Sequence, residues 1–65
     1  MKTRDFERIL AEAGFQLVRI SAHRIWSNGA RHVAVTKDRN IHRGVARRLL
    51  KEIGYSGSVP ELNFG

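Results

Sequence analysis

Hydrophobic positions along the chain change their period twice. Phe6, Ile9, Leu10 and Ala13 recur at helical spacing and line one face of an α-helix. Thr3 stands where an N-cap belongs, and Asp5 and Glu7 follow in a first turn where the helix dipole favours acids. Gly14 sits where a left-handed C-terminal residue is wanted. The period then shortens. Phe15 to Ile20 is too short, and too rich in aromatic and branched residues, for another helix. It is expected as a strand with Phe15 and Leu17 inward and Val18 and Ile20 on the opposite face. After a Ser21-Ala22 corner, His23 to Ser27 is expected as a second strand. Asn28-Gly29 is a strong hairpin signal, because both positions of a tight turn need positive φ. Ala30 to Thr36 follows as a third strand. The helical period returns with Ile41, Val45, Leu49 and Ile53 on one face and Ala46 and Leu50 beside them. Asn40 is the expected cap of this helix, which runs to about Ile53 and stops at Gly54.

The order is α-β-β-β-α, an α+β fold with a three-stranded antiparallel sheet and both helices on one face. A two-residue loop would set Trp26 opposite Arg31, Arg24 opposite Val33 and His23 opposite Ala34. Trp26 then shares the core face with Val33 and Val35. His23, Ile25 and His32 take the open face. One core is expected from Phe6, Ile9, Leu10, Leu17, Trp26, Val33, Val35, Val45, Leu49 and Ile53. Residues 1–54 read as a single domain. Residues 55–65 mix Gly, Ser, Pro and Asn with no helical period and read as a tail.

Length and composition narrow the chemistry. At 65 residues there is little room for a deep cofactor pocket, so a surface or shallow cleft is expected to do any chemistry. There are no cysteines, which removes disulfides and thiolate zinc sites. No apolar run is long enough for a signal peptide or a bilayer span, so a soluble, cytoplasmic protein is expected.

Charge points to a partner. Lys and Arg number 12 against 6 Asp and Glu, a net charge of +6. Most acids lie in the first helix or near the C-terminal end, which leaves the middle and the second helix strongly basic. Such asymmetry suggests a polyanion, above all nucleic acid. Arg43, Arg47 and Lys51 make a stripe at four-residue spacing, with Arg48 adjacent. Gly44 is a poor helix former in a first turn. It suits either close approach by another segment or a phosphate, or a helix-packing contact.

The candidate for proton transfer is His23, in a corner next to Arg19 and Arg24. His32 would sit diagonal to it across the hairpin, within reach as a second proton carrier or simply facing solvent. His42 would meet a phosphate at the start of the second helix or stand as an ordinary exposed residue. The three histidines are not at metal-ligand spacing, and no carboxylate cluster accompanies them. No P-loop, dinucleotide fingerprint or Cys-His pair is present. Trp26 could stack a base, but its parity favours packing.

These motifs resemble the HicA toxin family, small mRNA interferases of bacterial toxin–antitoxin pairs whose fold is similar to the double-stranded-RNA-binding domain. The likeness runs from about Phe6 to Gly54. It takes in Ala13-Gly14-Phe15, Leu17-Val18-Arg19, His23-Arg24-Ile25-Trp26 and Arg31-His32-Val33-Ala34-Val35. Its most specific part is Ile41-His42-Arg43-Gly44-Val45-Ala46-Arg47-Arg48-Leu49-Leu50-Lys51-Glu52-Ile53-Gly54, which looks like the family's final helix. The family's catalytic histidine follows a Gly-Ser pair, and His23 follows Ser21-Ala22 at the corresponding place. Lys37 follows Thr36 where the family often has proline.

The resemblance implies an endoribonuclease toxin of a type II system that cleaves mRNA without metal or small-molecule cofactor. His23 would be general base toward a 2′-hydroxyl, with Arg19, Arg24, Arg43, Arg47, Arg48 and Lys51 holding the RNA backbone. It also implies a HicB-type antitoxin partner that covers the active site, in a complex that often binds operator DNA. Two alternatives use the same basic surface: a non-catalytic RNA-binding module, and an adaptor that docks an acidic protein.

Overall fold

A computed structural model describes residues 1–57 and 59. The elements are α1 (Thr3–Glu12), β1 (Gln16–Ile20), β2 (Arg24–Ser27), β3 (His32–Val35) and α2 (Arg43–Glu52). The three strands form one antiparallel sheet in the order β1-β2-β3. Val33 and Val35 project from the same face of β3 and are buried with Phe6 and Leu10 of α1 and Ala46 and Leu50 of α2. Both helices therefore cover one face of the sheet, as the periodicity predicts. Phe15 and Ile41, in the loops that enter β1 and α2, complete the buried cluster. Gly14 and Gly54 end the two helices at positive φ.

Both helices start at the same end of the sheet. The Thr3 N–H donates to the Arg39 carbonyl (2.9 Å) and the Thr3 hydroxyl to the Asp38 carbonyl (2.7 Å). These bonds tie the start of α1 to the loop that leaves β3. At the far end, Arg31 of the hairpin loop donates to the Glu52 carbonyl (2.8 Å) and satisfies the last turn of α2 with a cation. Buried Thr3 thus serves as a tether and not as the N-cap. Lys2 takes the cap position with no side-chain bond and pairs with Asn40 in an isolated antiparallel bridge.

The hairpin register differs from the two-residue-loop expectation. Trp26 pairs with Val33, Ile25 with Ala34 and Arg24 with Val35, which leaves a loop of four residues, 28–31. Among the described residues only glycines take positive φ, so Asn28 does not enter the tight turn the dipeptide suggests. Its side-chain oxygen instead accepts the N–H groups of Ala30 (2.9 Å) and Arg31 (2.7 Å). A slip of two residues keeps the faces, so Trp26 still shares one with Val33 and Val35.

Two further departures re-aim side chains. β1 is irregular between Leu17 and Arg19, and beyond the irregularity Ile20 pairs with Arg24. An extra residue in one strand reverses the alternation. Ile20 therefore returns to the face of Leu17 and Trp26, and remains exposed. In α2 the buried line is Ala46 and Leu50, flanked by partly buried Leu49 and Ile53, while Val45 is 37% exposed. The helix starts at Arg43, so Ile41 packs from the loop; the inward face lies about one residue from the expected line.

Of the 55–65 tail, Tyr55 and Val59 pack against the core cluster, and the Tyr55 N–H donates to the Leu50 carbonyl (3.0 Å). Residues 58 and 60–65 lie outside the described residues.

Candidate functional site

His23 does not begin β2; it is the exposed last residue of the corner before Arg24. The Ser21 N–H donates to the His23 carbonyl (2.9 Å), which closes the corner on itself. The Lys37 ammonium donates to the Ser21 carbonyl (2.8 Å), bracing the corner from the loop after β3. Among the described residues, no hydrogen bond or ion pair engages the His23 imidazole. The ring is thus presented to solvent on a short backbone platform. In the sequence Lys37 stands in an undistinguished polar loop. Its link to Ser21 spans 16 residues, and no local motif announces such a contact.

The two arginines beside His23 part company. Arg19 pairs with Ile25 on the open face and is exposed. Arg24 pairs with Val35 on the helix face. There its guanidinium donates to the Glu7 carboxylate of α1 at 2.7 Å. The Trp26 indole N–H donates to the same oxygen at 2.6 Å. The Glu7 side chain is only 13% exposed, so the three groups form a partly desolvated brace between α1 and β2. Trp26 is a packing residue with a satisfied donor.

The other histidines are separated from His23 by the register. His32 pairs with Ser27 at the hairpin end of β2, while His23 lies beyond the other end. The offset along the strand is roughly 13 Å, too far for a shared proton. His42, not Asn40, is the N-cap of α2, and its Nδ1 accepts the Gly44 N–H at 3.0 Å. That ring explains the glycine: a Cβ at residue 44 would meet the imidazole at 3.2 Å. Gly44 admits the capping histidine, not a distant segment or a helix-packing contact.

The α2 cations Arg43, Arg47, Arg48 and Lys51 are exposed along the helix. Arg48 is bonded to Glu52 one turn on (3.2 Å). Arg43, at the helix start, lies toward the corner end of the sheet, and Lys51 lies roughly 12 Å further along. Among the described residues no group of three His, Cys, Asp or Glu side chains gathers to hold a metal ion, and no helix is long and apolar enough to cross a membrane.

A family model described as HicA toxin of bacterial toxin–antitoxin systems matches residues 3–55. No curated protein and no solved structure matches the chain.

Proposed function

The chain belongs to the HicA toxin family of bacterial toxin–antitoxin systems, and from that membership we propose that it is an endoribonuclease that cuts mRNA with His23 as general base. The observation that carries the reading is the exposed, unengaged imidazole of His23 on a corner braced by Lys37.

RNA supplies its own nucleophile, so a small surface site suffices. The His23 imidazole takes the proton of a 2′-hydroxyl, and the 2′-oxygen attacks the neighbouring phosphorus. The bond from phosphorus to the 5′-oxygen breaks. The 5′-oxygen takes a proton from water, and a cyclic phosphate and a 5′-hydroxyl result. Arg19 on the open face and the α2 cations Arg43, Arg47, Arg48 and Lys51 hold the backbone, and charge near the phosphate stabilises the transition state. Arg24 contributes from beneath, as part of the brace that orients β2, because its guanidinium is engaged by Glu7. The reaction uses no metal and no small-molecule cofactor.

The partner follows from the same surface. An exposed basic site suits an acidic inhibitor, here a HicB-type antitoxin in the cytoplasm, with steering by opposite charge.

Replacement of His23 by Ala should lower the rate of RNA cleavage by at least about 100-fold while RNA binding persists, the scale for removing a general base. An RNA with a single 2′-deoxy nucleotide at the cut site should resist cleavage there, and chelators should leave activity unchanged. Normal cleavage at the deoxy position would exclude the 2′-hydroxyl route. Persistent RNA binding with no cleavage by the unsubstituted chain would favour the non-catalytic module.

A further inference from the structure

We propose that the groove between the start of α1 and the 36–40 loop binds the RNA backbone next to the phosphodiester at which His23 acts as general base. The inference rests on the ribonuclease reading and adds to it a second phosphate-binding surface, distinct from α2. The groove encloses about 660 Å³ and is bordered by Lys2, Arg4, Lys37 and Arg39. Its acidic members are Glu7 and Asp38. Glu7 is engaged by Arg24 and Trp26, so of the groove's own acids the Asp38 carboxylate is left to oppose the four cations.

Two of these cations are unengaged among the described residues, and Lys37 bonds only the neutral Ser21 carbonyl. The side chains of Lys2 and Arg39 have no hydrogen bond or ion pair among the described residues. Arg4 lies 3.8 Å from the Asp5 carboxylate, a loose and exposed contact. Four like charges around one concave surface repel one another and raise the local potential, which a bound polyanion relieves. The α2 stripe is different, since it lies along a convex helix and Arg48 is already paired.

The groove is built before any ligand arrives. The Lys2–Asn40 bridge joins its two walls. So do the bonds from Thr3 N–H to the Arg39 carbonyl and from Ile41 N–H to the Met1 carbonyl, each 2.9 Å. A preformed site loses less to ordering on binding. The groove also adjoins the corner. Lys37 borders it and bonds the Ser21 carbonyl, and Arg24, the residue after His23, forms part of its wall. A strand with one phosphate at His23 would run its next phosphates past Lys37 into the groove.

The test uses the full chain with His23→Ala, so that RNA stays intact while binding is measured against salt. Adding Lys2→Gln and Arg39→Gln together should flatten the log–log slope by about 1.4, two phosphates at roughly 0.7 each, and weaken binding by about ten-fold at low salt. Arg8→Gln removes a charge on α1 where the guanidinium bonds Asp5 instead of the groove. It should leave the slope unchanged. The charge-keeping pair Lys2→Arg and Arg39→Lys should retain the slope, and thermal unfolding should be alike in all variants. An unchanged slope in the double Gln variant overturns the proposal. So does an equal effect per charge from Arg8→Gln, which would mean net charge alone. Poly-glutamate bound as tightly as RNA, and lost in proportion, would make the groove an acidic-peptide site and overturn it as well. Cleavage by the chain with His23 intact is scored separately. If the reaction fails there, the slope comparison still decides whether the groove binds RNA.

Discussion

At the scale of single residues, sequence neighbours acquire opposite tasks. Among the described residues no hydrogen bond or ion pair engages the exposed His23 side chain, so its replacement should have little effect on folding. Arg24, next to it, is held with Trp26 on one oxygen of Glu7. Glu7→Ala would strip a partly buried guanidinium and an indole N–H of their acceptor. The expected loss is about 2–3 kcal/mol of stability, the scale for hydrogen bonds to a charged group plus unsatisfied donors. Trp26→Phe should cost less on the polar side, about 1 kcal/mol for one bond. Urea unfolding of both variants measures this. A loss below about 0.5 kcal/mol for Glu7→Ala would mean that solvent replaces the brace.

At the scale of elements, α2 shows how a cap sets where a helix starts. His42 closes the first turn through Gly44, so regular helix begins at Arg43 and Ile41 stays in the loop. The buried line then runs through Ala46 and Leu50. Leu50→Ala should cost about 2–5 kcal/mol, a large share of a small domain's stability. Val45→Ala, at a 37% exposed position, should cost less than about 1 kcal/mol. Equal losses at the two sites, read from urea midpoints, would place the helix face where the periodicity alone put it.

At the scale of the whole molecule, the net charge is +6, with Lys2, Arg4, Lys37 and Arg39 around one groove and Arg43, Arg47, Arg48 and Lys51 along α2. Each phosphate neutralised releases condensed counterions, so RNA affinity should fall steeply with salt. Replacing Arg43, Arg47 and Lys51 together by Ala should flatten the log–log slope by about 2, three contacts at roughly 0.7 each for single-stranded RNA. Binding isotherms at several salt concentrations measure it. A slope that stays the same would mean that this stripe faces solvent throughout.

Much of this was legible in the chain. Hydrophobic periods of 3.6 and 2 determined the order α-β-β-β-α, because a helix or strand that buries one face must repeat its apolar residues at its own pitch. The same alternation determined that Trp26, Val33 and Val35 share a face, which survived a two-residue slip. The motif around His23 identified the candidate base. Tertiary structure decided what local pattern does not encode. Asn28 folded its side chain over the hairpin and lengthened the loop, and the irregularity at Val18 reversed the parity of Ile20. His42 displaced Asn40 as the cap. Glu7 drew Arg24 under α1, although the sequence shows only a cation beside a histidine. Lys37 reached Ser21 across the end of the sheet. The Glu7 and Lys37 bonds join segments 17 and 16 residues apart, whose proximity depends on register and packing. The Asn28 and His42 bonds are local side-chain contacts, and the Val18 irregularity is a matter of strand pairing. Periodicity contains no term for any of them.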